Sequence, residues 1–401
     1  MKYTPQEVMQ YIQEEDVKFI RLAFCDCLGR PKNISIMPQE LERAFKYGIA
    51  LDASAIAGFG DEVHSDLFLH PDPTTIMVLP WRPEHGRVVR MFCTITQPDG
   101  TLFELDTRSI LKQAIADANE AGFTFSFGSE LEFYLFRLDE DGEATKIPYD
   151  HAAYMDVAPE DRCENVRREI CLTLESMGII PESSHHEEGP GQNEIDFRYS
   201  DAMTAADNAL LFASTVRAVA VSNGLYADFS PKPIPGESGN GMHINISLLQ
   251  EEGPSVTQYF MAGILDHIRE MTAFLNPTEA SYRRLGEKKA PKYVTWSPGN
   301  RSQLIRIPAA QGQYKRMELR SPDPMVNPHL AYALVIFAGL DGVRRKLLPP
   351  EPMNVNLYTA EAALTSSLAA LPGSLAEARK IARESPFIRG VLPEELWKDR
   401  G

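Results

Sequence analysis

The chain has 401 residues, enough for two or three structural units around a sizeable core. Apolar residues at 43% and charged residues at 24% exclude a disordered chain or a coiled coil. Forty basic against 56 acidic side chains leave a net charge of −16, which opposes non-specific attraction to nucleic acid or anionic lipid. Five cysteines (Cys25, Cys27, Cys93, Cys163, Cys171) with no C-x-x-C pair argue against a disulfide framework or a structural zinc site, and favour a reducing compartment. Met1–Lys18 carries acids and no apolar core of a signal peptide, and the longest apolar run, Ala333–Leu340, is too short to span a bilayer. A soluble, unprocessed cytoplasmic protein is expected.

In chain order, Val8, Met9, Tyr11 and Ile12 fall on helical spacing within Pro5–Glu14, and Val17–Phe24 alternates like a strand. Asp26–Arg30 reads as a hairpin turn, with further strands at Ile34–Met37 and Val88–Thr96 and a Pro-rich stretch, His70–Trp81, between them. These elements form a small α+β unit over about residues 1–104. Asp106-Thr107 caps a helix with apolar face Ile110, Leu111, Ala114, Ile115 and Ala118, ending at Gly122. This opens a second unit, residues 105–401. Longer helices are expected at Glu160–Met177 and Asp201–Asn223, and the Pro-rich Leu348–Met353 reads as a loop before a helical tail.

Chemistry concentrates in the second unit. Phe125–Phe136 is strongly strand-like, so Glu130 and Glu132, two residues apart, share a face. His185–Tyr199 packs acids and histidines around a Gly-Pro-Gly turn across which Glu187 and Glu194 can converge. Gly236–Ser247 is a glycine-rich loop feeding a strand with His243, Asn245 and Ser247 on one face, without the spacing of a P-loop or a dinucleotide fingerprint. Arg301 and Arg306, then Arg316, Glu318 and Arg320, sit on two further strand-like segments. Taken singly, the acidic segments also fit a solvated strand face or an acidic loop. Together they offer five glutamates and one histidine, a set that suits magnesium or manganese, with arginines for phosphate and carboxylate. Hard cations plus arginines are what phosphoryl transfer requires.

The ordered set Leu51–Ile56, Ser65-Asp66 with Pro71-Asp72-Pro73, Glu130–Phe133, His185–Glu187 with Gly191–Glu194, Gly241–His243, Asn300–Ser302, and Glu318–Arg320 with Asn327-Pro328 resembles the glutamine synthetase family, of bacterial type I. The likeness runs from about Val17 to Val343. It implies a small N-terminal β-grasp-like domain and a larger catalytic domain on a curved antiparallel sheet. It also implies a homo-oligomeric ring, a dodecamer, with active sites between subunits. The implied reaction is ATP-dependent amidation of the glutamate γ-carboxylate through γ-glutamyl phosphate, with two or more Mg²⁺ or Mn²⁺ per site.

Carried over by position, Glu132, Glu187 and Glu194 form one metal site, and Glu130, His243 and Glu318 the other. Gly239, Arg284, Arg301 and Arg320 bind substrate. Tyr199, Ser247, Arg301, Arg306 and Arg316 meet ATP, and Arg306 also acts in catalysis. Asp52, from a neighbouring subunit, binds and deprotonates ammonium.

Departures from the family pattern lie in the flap, Arg284–Pro291, which is one residue shorter and carries Lys289 where ammonia-using members place a glutamate. Glu287 substitutes as the base if the flap shifts register. The C-terminal tail is also shorter than usual. The expected activity is amidation with ammonia. A γ-glutamyl-amine ligase using a primary amine or polyamine is the alternative, and a catalytically silent ring with a regulatory or structural role a second one.

Overall fold

The computed structural model describes residues 3–80, 86–250, 256–312 and 315–398, so Met1, Lys2 and Trp81 lie outside the described residues. The chain divides into two compact units, Met1–Ile110 with Ser176–Gly178, and Leu111–Glu175 with Ile179–Gly401.

The first unit begins with helix α1 (Pro5–Glu14), whose Thr4 and Glu7 form a reciprocal capping box. Strands β1 (Val17–Cys25) and β2 (Pro31–Ile36) follow, then α2 (Leu41–Tyr47), β3 (Ile49–Asp52), β4 (Asp66–Pro71), β5 (Met77–Val78) and β6 (Arg87–Thr96). The sheet order is β2-β1-β6-β4-β3, with β5 on β6 and the β1/β6 pair parallel. Strand β4 covers the start of the stretch read from sequence as a Pro-rich connection, because Leu67 and Leu69 alternate into the core. Asp52 ends β3 exposed, its carboxylate accepting hydrogen bonds from Ser54 N at 3.0 Å and Ser54 Oγ at 2.6 Å.

The second unit is built on a long strand. After α3 (Thr107–Glu120) come β7 (Phe123–Leu138), β8 (Ala144–Pro148), α4 (Glu164–Ser176), β9 (Pro181–His186), β10 (Gln192–Phe197), β11 (Ser200–Asp201) and α5 (Ala202–Ser222). Then follow β12 (Leu225–Asp228), β13 (Met242–Gln250), α6 (Thr257–Leu275), α7 (Glu279–Arg284), β14 (Trp296–Pro298), β15 (Ile305–Ile307), β16 (Met317–Leu319) and α8 (Pro328–Arg345). The sheet path among the described residues is β14-β15-β16-β13-β7-β10-β9, with β8, β11 and β12 also on β7. It is antiparallel except for β14/β15, so the sheet is mixed rather than purely antiparallel.

Alternation on β7 separates core from chemistry. Phe127 stacks on Tyr332 of α8 at 4.4 Å, Phe125 lies 4.9 Å from Phe260 of α6, and Phe133 lies 6.1 Å from Phe212 of α5. The odd positions therefore seal the sheet against helices, leaving Ser126, Gly128, Glu130 and Glu132 on the opposite face. Helices α6 and α8, which sequence reading did not anticipate, touch backbone to backbone. A Cβ on Gly263 would stand 2.1 Å from Ala338 O, and one on Gly342 would stand 2.2 Å from Tyr259 O.

Two helix starts follow their caps: Asp201 accepts from Thr204 N at 3.1 Å, and Asn327 accepts from His329 N at 3.0 Å ahead of Pro328. By contrast, α4 starts at Glu164 rather than Glu160, because Asp161 accepts from Cys163 N at 2.9 Å and pairs with Arg167, which turns the chain before the helix begins.

Candidate active site

The registers of four neighbouring strands assemble the site. Across β7 and β13, Glu130 faces His243; across β7 and β10, Glu132 faces Glu194 and Glu130 faces Asp196. Glu318 on β16 faces Asn245 on β13 and Arg306 on β15. One sheet face thus carries acids from β7, β10 and β16 and an imidazole from β13, brought together from distant parts of the chain. Above it lies a cavity of 630 Å³.

Three overlapping groups of metal-competent side chains form on this floor, one of them Glu130, Glu194 and Asp196. Glu130, His243 and Glu318 present ligand atoms within 4.8 Å of one another, as do His185, Glu187 and Glu194. His243 Nδ1 lies 3.1 Å from Glu130 and 3.7 Å from Glu318, and Glu318 also pairs with Arg306 and Arg320. Glu132 stands slightly apart, accepting from Gly241 N at 2.6 Å. A Cβ on Gly241 would meet Arg284 Nη2 at 2.8 Å and His243 Nε2 at 2.9 Å, so only glycine lets the backbone reach that carboxylate.

Of the residues expected from sequence, Glu130, Glu132, Glu187, Glu194, His243, Gly239, Arg284, Arg301, Arg306, Arg316 and Arg320 line the cavity. Glu318 sits fully buried just behind it. The structure does not bring four others to the lining. Tyr199 packs on Gly128, where a Cβ would lie 3.3 Å from its ring, and Ser247 donates to Lys315 O at 3.4 Å. Asp52 belongs to the other unit. Glu287 turns outward, exposed, to pair with Lys232 at 2.9 Å, while Lys289 lines the cavity in its place.

Comparison with known proteins agrees with this arrangement. The family model for the glutamine synthetase catalytic domain matches residues 104–399, and that for the glutamine synthetase β-grasp domain matches residues 16–98. The chain belongs to the glutamine synthetase family. It is 43% identical to a glutamine synthetase of Clostridium saccharobutylicum over 99% of its own length and 93% of that protein. It is likewise 43% identical to a glutamine synthetase of Methanosarcina mazei over 98% of its length and 92% of that protein. Among solved structures, a GmaS/ADP complex superposes with a TM-score of 0.88 at 28% identity, covering 97% of this chain and 93% of that one. The Plasmodium falciparum glutamine synthetase gives 0.85 at 25% identity, covering 99% and 95%. As a member of that family, the protein has a β-grasp domain and a catalytic domain on a curved sheet, and it is a ligase of a family generally dependent on ATP and divalent metal.

The electrostatics fit that requirement. Burial, reinforced by Asp196, Glu132, Glu130 and Glu187, pushes the Glu194 carboxyl well above its ordinary range, and burial pushes Glu132 up as well. Asp196, buried beside Glu130, is pushed up to about 6. Carboxylates that raise one another in this way call for a cation. At the other cluster, burial also opposes ionisation of Glu130, but His243, Asn245 and Arg320 outweigh it and hold its carboxyl down at about 2. Arg306 Nε and Arg320 Nε are buried with no hydrogen-bond partner, donors suited to an anionic ligand.

Several site residues escaped sequence reading. Asp196 was within reach of the logic applied to Glu130 and Glu132, since it lies two residues from Glu194 on β10 and on the same face. His185, Tyr154 and Gln192 also line the cavity. For Tyr154, in the connection between β8 and α4, no local pattern marks its approach. Behind Glu187, the fully buried His186 bonds Asp150 at 2.8 Å and the Glu187 carbonyl at 2.6 Å, and Asp150 accepts from Gly191 N at 3.1 Å. This clamp fixes the turn that carries Glu187.

Proposed function

We infer that the protein is an ATP-dependent glutamate–ammonia ligase, a glutamine synthetase with domains dividing near residue 104. The observation that carries this reading is one cavity holding both an acidic, metal-competent floor and a ring of arginines. In the reaction, the γ-carboxylate of glutamate attacks the γ-phosphorus of ATP, releasing ADP and forming γ-glutamyl phosphate. Ammonia then attacks the acyl carbon and inorganic phosphate leaves.

Two Mg²⁺ or Mn²⁺ ions, held by Glu132, Glu187 and Glu194 and by Glu130, His243 and Glu318, would neutralise charge on the transferring phosphoryl group. Arg284, buried and hydrogen-bonded to Ser321 O at 2.8 Å, is rigidly placed to hold a substrate carboxylate with Arg320 and the Gly239 backbone. Arg301, Arg306 and Arg316 would provide positive charge for the ATP phosphates; Tyr199 and Ser247, off the cavity lining, would meet the nucleotide only if it extends past these arginines. Arg306, whose Nε is unpaired, stabilises negative charge as it builds on the leaving oxygen. Asp52 of a neighbouring subunit would bind and deprotonate ammonium, which requires a closed homo-oligomeric ring.

A specific observation supports a second reading, transfer to a primary amine, because Lys289 lies on the cavity and Glu287 does not. Phosphate release from ATP and glutamate across ammonium, hydroxylamine, methylamine and a polyamine separates the two. Turnover greatest with ammonium is the expected result, turnover only with a larger amine selects the second reading, and none with any acceptor overturns both.

A further inference from the structure

A protein cation occupies one corner of the cavity. Lys289 Nζ lies 2.9 Å from Glu188 Oε1 and 4.8 Å over the ring of Tyr154. Glu187 is close enough to contribute to the field around it. A carboxylate pair beside an aromatic face is chemistry that recognises an ammonium ion, by ion pairing and by the quadrupole of the ring. Here the ammonium is the chain's own.

The placement is built rather than incidental. Lys289 adopts φ +63°, a left-handed conformation that non-glycine residues rarely hold, and its carbonyl accepts from Arg320 Nη2 at 3.4 Å. Arg320 is itself anchored on the buried Glu318. On the other side, Glu188 accepts from Ser238 Oγ at 3.3 Å, so both partners are held from the cavity wall. Neighbouring Lys288 pairs elsewhere, with Glu237 at 3.3 Å, and Glu287 pairs with Lys232. Of three successive charged residues in the flap, Lys288 and Lys289 line the cavity, and of these Lys289 is the one seated against Glu188 and Tyr154.

We propose that Lys289 is an acceptor-specificity residue, a tethered ammonium that fills the Tyr154–Glu188 corner and that a cationic acceptor must displace. This rests on the ligase reading and adds to it the chemistry of selection. A site whose competent state is only fractionally populated shows an affinity lowered by that fraction. Ammonium therefore binds more weakly than the corner itself would allow, while ATP, held elsewhere in the cavity, is little affected.

Two measurements on the full-length protein test this. In steady-state kinetics, Lys289→Met should lower the KM for ammonium about fivefold and move the KM for ATP less than about twofold, whereas Lys289→Arg, which keeps the charge, should leave the KM for ammonium within about twofold of the parent. An unchanged or raised KM for ammonium in Lys289→Met overturns the proposal. Independently of turnover, labelling by an amine-reactive ester, read by peptide mass spectrometry, should find Lys289 protected relative to Lys288. Glu188→Gln should raise labelling of Lys289 about threefold and leave Lys288 unchanged. Equal labelling of the two lysines in the parent, or no change in Glu188→Gln, overturns it. A parent that releases no phosphate with ammonium refutes the ligase reading instead, and the labelling result still decides whether Lys289 is seated in the corner.

Discussion

The two ends of the cavity floor solve the problem of buried charge differently. Around β13 and β16, Glu130 and Glu318 are matched by His243, Arg306 and Arg320, so the protein neutralises its own acids. Around β10, Glu132, Glu187, Glu194 and Asp196 gather with fewer cations near them, and burial together with neighbouring carboxylates pushes Glu132, Glu194 and Asp196 towards protonation, while against burial His185 and Lys289 help hold Glu187 down. The first end is organised before any ligand arrives. The second carries an electrostatic cost that a divalent cation relieves, so binding energy and structural order are linked there.

The largest effect that sharpens this contrast belongs to Glu318. Its fully buried carboxylate joins two arginines and approaches His243, so Glu318→Ala should lower kcat by about 10³-fold and destabilise the fold by about 3 kcal/mol by stranding those arginines. Steady-state rates and urea denaturation measure the two losses. Activity near that of the parent would mean that the cluster is structural only.

The other end should respond in the opposite sense. Because folding raises the Asp196, Glu132 and Glu194 pKa values, the folded state binds protons more tightly than the unfolded one, and stability is lost as pH rises. For Asp196 the window runs from its ordinary 3.8 to about 6. In EDTA, Tm should therefore fall between pH 5 and pH 7.5, and Mn²⁺ should shrink that fall. Glu194→Gln should raise Tm in EDTA while weakening Mn²⁺ binding about tenfold or more. Calorimetry showing a flat metal-free Tm across this range would contradict the picture of an over-charged half-site.

The smallest effect is expected at Glu287, which faces Lys232 rather than the cavity. Glu287→Gln should change ammonium-dependent turnover less than about twofold. A large loss would show that the flap shifts register when substrates bind, bringing that carboxylate to the acceptor.

Much of the floor was legible along the chain. Glu130 and Glu132 share a face because β7 is a strand, and its apolar odd positions could only point to the core. The helix read over Asp201–Asn223 forms, starting at its Asp201 cap, whereas α8 went unread although Asn327 caps it. Less was legible where contacts are distant and local signals absent. The Arg301 turn has little regular structure of its own and is held from the tail, with Asn300 Nδ2 and Gln303 Nε2 donating to Val355 O and Tyr358 Oη donating to Arg301 O. Read as strand-like, only Ile305–Ile307 of that segment is strand. A residue in an irregular loop takes its position from partners far along the chain, which no local periodicity encodes.

By itself, the sequence determined which residue types could meet: alternation fixed the faces of β7 and β10, and the ordered motifs fixed the family. Tertiary structure decided who stands opposite whom. Glu130 faces His243, and Glu132 faces Glu194, through strand registers that are set by packing of the opposite face against α5, α6 and α8. It also decided that Lys289 points into the cavity and Glu287 away from it, since the flap carries two residues in the left-handed region, Gly286 and Lys289, and the distant partners Glu188, Arg320 and Lys232 select where each side chain goes.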